Sequence, residues 1–177
     1  MNLKRTLVVG DIHSGLQALK QVLEKAAITE KDTIIFLGDY IDGWSEAVET
    51  VNYLLQLKEK YNCIYLRGNH DELCYEWLTG KADNPTWFMH GGEATSNSYG
   101  NASKETKDLH LKFYESLQNY HLDSESRLFL HAGFTNLKGI EHEYFKKTFY
   151  WDRTLWELAL SLNKDLEEDH IHYPKRL

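Results

Sequence analysis

The feature that most constrains this chain is a layout used three times in its first half: a short apolar run broken by glycine and a small polar residue. Residues 5–9 break at Gly10-Asp11, residues 33–37 at Gly38-Asp39, and residues 63–66 give way at Gly68-Asn69. Short continuous apolar runs ended in this way predict strands buried on both faces. Between them lie helical patterns. Leu16, Leu19, Val22, Leu23 and Ala26 share one helical face, as do Val48, Val51, Leu54 and Leu55 behind a candidate N-cap at Ser45. A β-α-β-α-β order implies a parallel sheet with right-handed crossovers. Farther along, residues 71–78 read as a short helix and the polar, glycine-rich residues 79–103 as a long loop or lid. Leu109, Phe113 and Leu117 mark a helix to about Tyr120. Leu128–Leu130 reads as a fourth strand ended by His131, residues 155–162 as a helix, and residues 165–177 as a charged tail without pattern.

Composition narrows the class. The 177 residues suit one domain spanning 1–177, and a chain of this size buries about 70% of its unfolded surface without help from disulfides. A formal charge of −7 argues against nucleic acid as a partner. No apolar run approaches the ~18–20 residues of a membrane span, and no secretory h-region follows the first basic residues. Cys63 and Cys74 fit neither a disulfide framework nor a cysteine-rich zinc site, so a cytoplasmic location is expected.

In a parallel α/β sheet, ligands bind beyond the carboxyl ends of the strands. The residues there are Asp11 and His13, Asp39 and Asp42, Asn69 and His70, and His131. An aspartate in such a place is often only a helix cap, and an asparagine after glycine only a turn residue. Capping explains neither His13 nor the Asn69-His70 pair. Metal chemistry does: divalent ions accept carboxylate, amide oxygen and neutral imidazole together. Two ions about 3.5–4 Å apart, bridged by one carboxylate, clamp both oxygens of a phosphoryl displacement.

Gly10-Asp11-Ile12-His13, Gly38-Asp39-Tyr40-Ile41-Asp42, Gly68-Asn69-His70-Asp71 and His131-Ala132-Gly133 resemble, in order, the G-D-x-H, G-D-x-x-D, G-N-H-[DE] and H-[AG]-G signatures of calcineurin-like metallophosphoesterases. The branch they look most like is that of the bacterial Ser/Thr phosphoprotein phosphatases, which includes the symmetrical diadenosine tetraphosphatases. The resemblance covers residues 6–153 and implies a four-layer α/β/β/α sandwich. It also implies two divalent ions, Mn first with Fe or Zn as alternatives, and hydrolysis of phosphomonoesters by a metal-bridging hydroxide. A dinucleoside polyphosphate hydrolase on the same scaffold is the alternative. By the same resemblance, Asp11 and His13 hold the first ion, Asp39 bridges, and Asn69 and His131 hold the second. His70 is the general acid, oriented by Asp42, while Arg67 and Arg153 contact phosphate. Trp87, His90, Gly91, Gly92, Thr95, Ser98 and Tyr99 look like the branch's substrate-facing lid, and His110, His121 and His142 read as surface residues.

Two departures stand out. Many relatives carry arginine after the second aspartate of G-D-x-x-D, whereas this chain has Asp42-Gly43-Trp44. The family also ends on a Gly-His motif whose histidine binds the second ion, and no Gly-His follows His131. His170-Ile171-His172 is a weak substitute. A fragment lacking its last strands is therefore expected, and a weakly active metal- or phosphate-binding module is a further alternative.

Overall fold

The three apolar runs are the strands of a parallel sheet in the computed structural model, which describes residues 4–81 and 84–161. Strands β1 (Thr6–Val9), β2 (Thr33–Phe36) and β3 (Asn62–Tyr65) lie in that order, with Thr6 opposite Thr33 and Thr33 opposite Asn62. Helix α1 (Leu16–Lys25) and helix α2 (Ala47–Lys60) form the crossovers. Only β2 is buried along its whole length. Val8 of β1 is 48% exposed, because β1 is an edge strand, so burial on both faces holds for the central strand alone. Ile34 and Phe36 of β2 pack into a core with Leu19 and Leu23 of α1 and Val51 and Leu54 of α2. Ile35, which alternates to the opposite face, is equally buried.

Helix α2 is not capped by Ser45. Its N-cap is Glu46, without a side-chain bond, and the amide of Val48 in its first turn is satisfied from elsewhere, by Ser98 Oγ at 3.1 Å. Helix α3 (Asn69–Leu78) starts two residues earlier than its pattern suggested. The expected loop over 79–103 is instead largely helical: α4 (Pro85–Trp87), a kinked helical segment over Phe88–Gly92, and α5 (Glu93–Gly100). Asn84 caps α4 by accepting from the Trp87 amide at 3.2 Å, with Pro85 in the first turn. Gly91 supplies the kink at φ +103°, a conformation glycine adopts freely, and Gly92 lies directly under the Trp87 indole, where a Cβ would come within 2.4 Å. The glycines that suggested a loop serve a bend and a close contact.

Helix α6 (Lys104–Glu115) is capped by Ser103, whose Oγ accepts from the Thr106 amide at 3.2 Å. The chain then runs back beside β3, with Gln118 bonded to both Tyr65 and Arg67. Strand β4 (Tyr120–Leu122) pairs antiparallel with β5 (Leu128–Leu130). The fourth strand thus belongs to a second sheet rather than to the parallel one. That sheet has its own apolar cluster, in which Leu128, Leu130 and Tyr120 pack on Ile140, Phe149 and Tyr150. The last two are in α7 (Thr148–Trp151), which α8 (Thr154–Ser161) follows. Helices and two sheets in this order make the α/β sandwich expected from the sequence. Among the described residues, no helix is long and apolar enough to cross a membrane. His170 and His172 lie outside the described residues.

Candidate metal centre and active site

Of the three loops that leave the parallel sheet, the first two are bonded through their backbones and the third is tied in by the Asp71 carboxylate. The amides of Ile12 and His13 both donate to the Asp39 carbonyl at 3.0 Å, and the Ser14 amide donates to Tyr40 O at 2.9 Å. The Asp71 carboxylate, buried at the start of α3, accepts from the amides of Gly68 (2.8 Å), Asp39 (2.8 Å) and Tyr40 (3.0 Å). Burial and the neighbouring Asp39 charge push its pKa up, against the pull of those three amides. Gly38 has φ +109°, and a Cβ on it would come within 2.3 Å of the Gly68 amide nitrogen. A Cβ on Gly68 would in turn meet Asp39 Oδ1 at 2.1 Å, so these two loops can approach only as glycines. His13, Asp39 and Asp42 all adopt positive φ, at 48°, 53° and 75°. For residues other than glycine such backbone costs on the order of 1–3 kcal/mol each and concentrates at functional sites.

These constraints, with His131 arriving from the second sheet, bring six of the sequence-derived candidates to one place. Asp39 is shared by two donor groups whose ligand atoms lie within 4.8 Å of one another: His13, Asp39 and His70, and Asp11, Asp39 and His131. Asp39 Oδ2 is 3.9 Å from His13 Nε2 and 3.5 Å from His131 Nε2. Asp11 Oδ2 is 4.0 Å from His13 Nε2, and Asn69 Oδ1 is 3.1 Å from His131 Nε2. The tautomers follow from the backbone. His13 Nδ1 faces the Ile41 carbonyl at 3.1 Å and His131 Nδ1 the Leu37 carbonyl at 3.0 Å. A carbonyl can only accept, so each Nδ1 donates to the backbone and each ring turns Nε2 toward the Asp39 carboxylate. With Nε2 deprotonated, lone pairs of imidazole, carboxylate and amide oxygen would face one another, an arrangement that a divalent cation satisfies. The donor set therefore fits the metal ions that the resemblance implies.

His70 is engaged differently. Its Nδ1 donates to Asp42 Oδ2 at 2.6 Å. Burial works to lower the His70 pKa, but the bond to Asp42 and the charges of Asp39, Asp42 and Asp71 outweigh it, and the net shift is upward. A ring that holds its proton is a donor rather than a ligand. The Asp42 carboxylate is itself fully buried and fixed at both oxygens. Trp87 Nε1 donates to Oδ2 at 2.6 Å, and the Thr95 hydroxyl donates to Oδ1 at 2.6 Å while accepting from the Asp42 amide at 3.0 Å. Trp87, Thr95 and Tyr99 are buried, so these residues of the expected lid brace Asp42 from behind, while His90 is exposed beside the site.

The two arginines lie outside this cluster. Arg67 is paired with Glu72 and donates to the Tyr114 carbonyl at 2.9 Å. Arg153 is exposed just before α8. Its neighbour Asp152 abuts Gly133, and Ala132 N donates to Phe149 O at 2.9 Å, so this segment runs beside the His131 loop. His110 is not a surface residue. It is buried, with Nε2 donating to Asn52 Oδ1 at 2.9 Å and Nδ1 accepting from the Tyr99 hydroxyl at 2.8 Å. Burial depresses its pKa to about 4. Sequence reasoning gave Asp71 no role beyond closing the G-N-H-[DE] match, and missed the bracketing role of Trp87 and Thr95, which needs contacts across roughly 50 residues.

The family described as calcineurin-like phosphoesterase matches residues 4–174. An asymmetrical bis(5'-nucleosyl)-tetraphosphatase, PrpE of Bacillus subtilis, is 27% identical over 140 residues, covering 71% of this chain and 56% of the relative. The chain thus spans about half the length of the curated relatives it matches. A solved structure provisionally named a diadenosine tetraphosphatase superposes with TM-score 0.60 at 16% identity, over 81% of this chain and 57% of the other. A Saccharomyces cerevisiae protein serine/threonine phosphatase does so with TM-score 0.52 at 19% identity, over 75% and 42%. Both likenesses concern the fold. With the family match running over nearly the whole sequence, the chain belongs to the calcineurin-like phosphoesterases.

Proposed function

We propose that the chain is a metal-dependent hydrolase of phosphomonoesters, of the Ser/Thr phosphatase kind. The observation that carries this reading is the Asp39 carboxylate, 3.9 Å from His13 Nε2 and 3.5 Å from His131 Nε2, beside a proton-holding His70 2.6 Å from Asp42. In this reading Asp11, His13 and Asp39 hold one divalent ion and Asp39, Asn69 and His131 a second. When bound, such ions lower the pKa of water and neutralise phosphoryl charge. Mn²⁺ is the first choice, with Fe or Zn accepted by the same donors. The Nδ1 atoms of His13 and His131 face backbone carbonyls, which leaves Nε2 as the nitrogen for a metal. His70 presents Nε2–H to the leaving oxygen, and Asp42 holds the ring in that orientation and favours its charged form. Arg153 is the cation available to phosphate. Arg67 could serve only by exchanging Glu72 for the substrate.

One observation favours a second reading, hydrolysis of dinucleoside polyphosphates. The chain has Gly43-Trp44 where phosphatases of this type carry arginine, and Trp44 is 70% exposed. The relative named above also acts on a bis-nucleosyl tetraphosphate by its name. Turnover of a phosphoserine peptide, p-nitrophenyl phosphate and diadenosine tetraphosphate in Mn²⁺ separates the two. Release of phosphate from the peptide and the aryl ester supports the first reading, and turnover of the dinucleotide alone replaces it with the second.

A further inference from the structure

Beside the proton donor lies a pocket of about 290 Å³. His70 forms part of its wall, and Leu73, Thr86, Trp87 and Trp151 form most of the rest. Asn69, Asn84 and His90 complete it, and among the described residues no Lys, Arg, Asp or Glu lines it, although the neighbouring metal-donor groups contain two carboxylates. Leu73 comes from α3, Thr86 and Trp87 from α4, and Trp151 from the end of α7, so three elements converge on it. Trp87 is held by Asp42 and cannot move freely, whereas Trp151 keeps 44% of its surface exposed and offers an indole to an incoming group.

We infer that this pocket is a leaving-group subsite for aryl phosphomonoesters, in which a flat, uncharged ring attached to the leaving oxygen packs against Trp151 and Leu73 beside His70. The inference rests on the phosphoesterase reading above and deepens it. Apart from the proton-holding His70, the described lining carries no charged side chain and suits a neutral ring, and aromatic pairs gain beyond their buried area. The size accommodates one ring system, at the lower end for small-molecule sites. Because His70 is itself in the wall, the ring sits next to the oxygen that receives the proton. In the step, water adds to phosphorus, the bond from phosphorus to the aryl oxygen breaks, and His70 delivers its proton to that oxygen. The products are phenol and phosphate, and His70 is reprotonated from solvent.

The test compares wild type with Trp151→Ala, which removes the platform, and Thr86→Trp, which fills the pocket from an exposed position. Substrates are phenyl phosphate and glycerol 2-phosphate, with the full chain in Mn²⁺. Both variants should lose about five- to tenfold in kcat/KM on phenyl phosphate, the scale of one aromatic contact, and less than twofold on glycerol 2-phosphate. Phenylphosphonate, which cannot be hydrolysed in this way, should bind wild type more tightly than methylphosphonate by a similar factor, and both variants should abolish that preference. Equal losses on both esters, or a phenylphosphonate preference that survives both variants, would overturn the subsite. If wild type cleaves neither ester yet keeps a Trp151-dependent preference for phenylphosphonate, the catalytic reading falls and the subsite stands.

Discussion

At the scale of single residues, the candidate site separates ligands from proton donors by what each imidazole does with its Nδ1. His13 and His131 spend theirs on backbone carbonyls, which leaves Nε2 toward Asp39, whereas His70 spends its own on a carboxylate. His70→Asn should therefore lower kcat by 10²–10⁴-fold, the usual cost of losing a general acid, with metal content unchanged. An unaltered kcat would remove His70 from the chemistry. His110 gives a prediction about stability instead. Its ordinary value is 6.5 and burial lowers it to about 4. The unfolded chain thus takes up this proton first as pH falls. The stabilisation is complete above pH 6.5 and is lost between 6.5 and 4, by roughly 3 kcal/mol in all at ~1.4 kcal/mol per pKa unit. Denaturant titrations at pH 7 and pH 4 should show that loss for wild type and a smaller one for His110→Gln. Nothing in the sequence marked His110 as buried, because its partners Asn52 and Tyr99 come from other helices.

At the scale of elements, the strand-Gly-polar layout was legible because it is local: apolar runs followed by glycine give parallel strands ending in loops. What was not legible is how the loops hold one another. Gly68 lies against Asp39 so closely that an added Cβ has no space. Gly68→Ala should cost about 1–3 kcal/mol of stability, as strain at a close backbone contact does, and weaken metal binding as well, because Asp39 must move. Ser103→Ala is the contrast. It removes the cap of α6, far along the chain from the donor residues, and should cost ~1 kcal/mol with turnover per folded molecule unchanged. Thermal melts and metal titration of the two variants distinguish the effects. The helices over 85–100 escaped sequence reasoning for a related reason: their glycines and small residues looked like loop composition, yet they fit a kink and a Trp87 contact.

At the scale of the whole molecule, one donor comes from outside the parallel sheet. His131 follows β5 of the antiparallel pair, and its Nδ1 reaches back to Leu37 beyond β2. The sequence order of motifs was enough to nominate His131, whereas its membership of a second sheet depends on a pairing with Tyr120–Leu122 that no periodicity announced. Everything proposed for catalysis depends on Asp39 standing between two ions, and that is directly measurable. Metal content after dialysis against Mn²⁺ should be two ions per chain for wild type and less than one for Asp39→Ala, since both donor groups lose their common member. A wild type that holds a single ion, or an Asp39→Ala variant that keeps two, would contradict the shared-carboxylate centre.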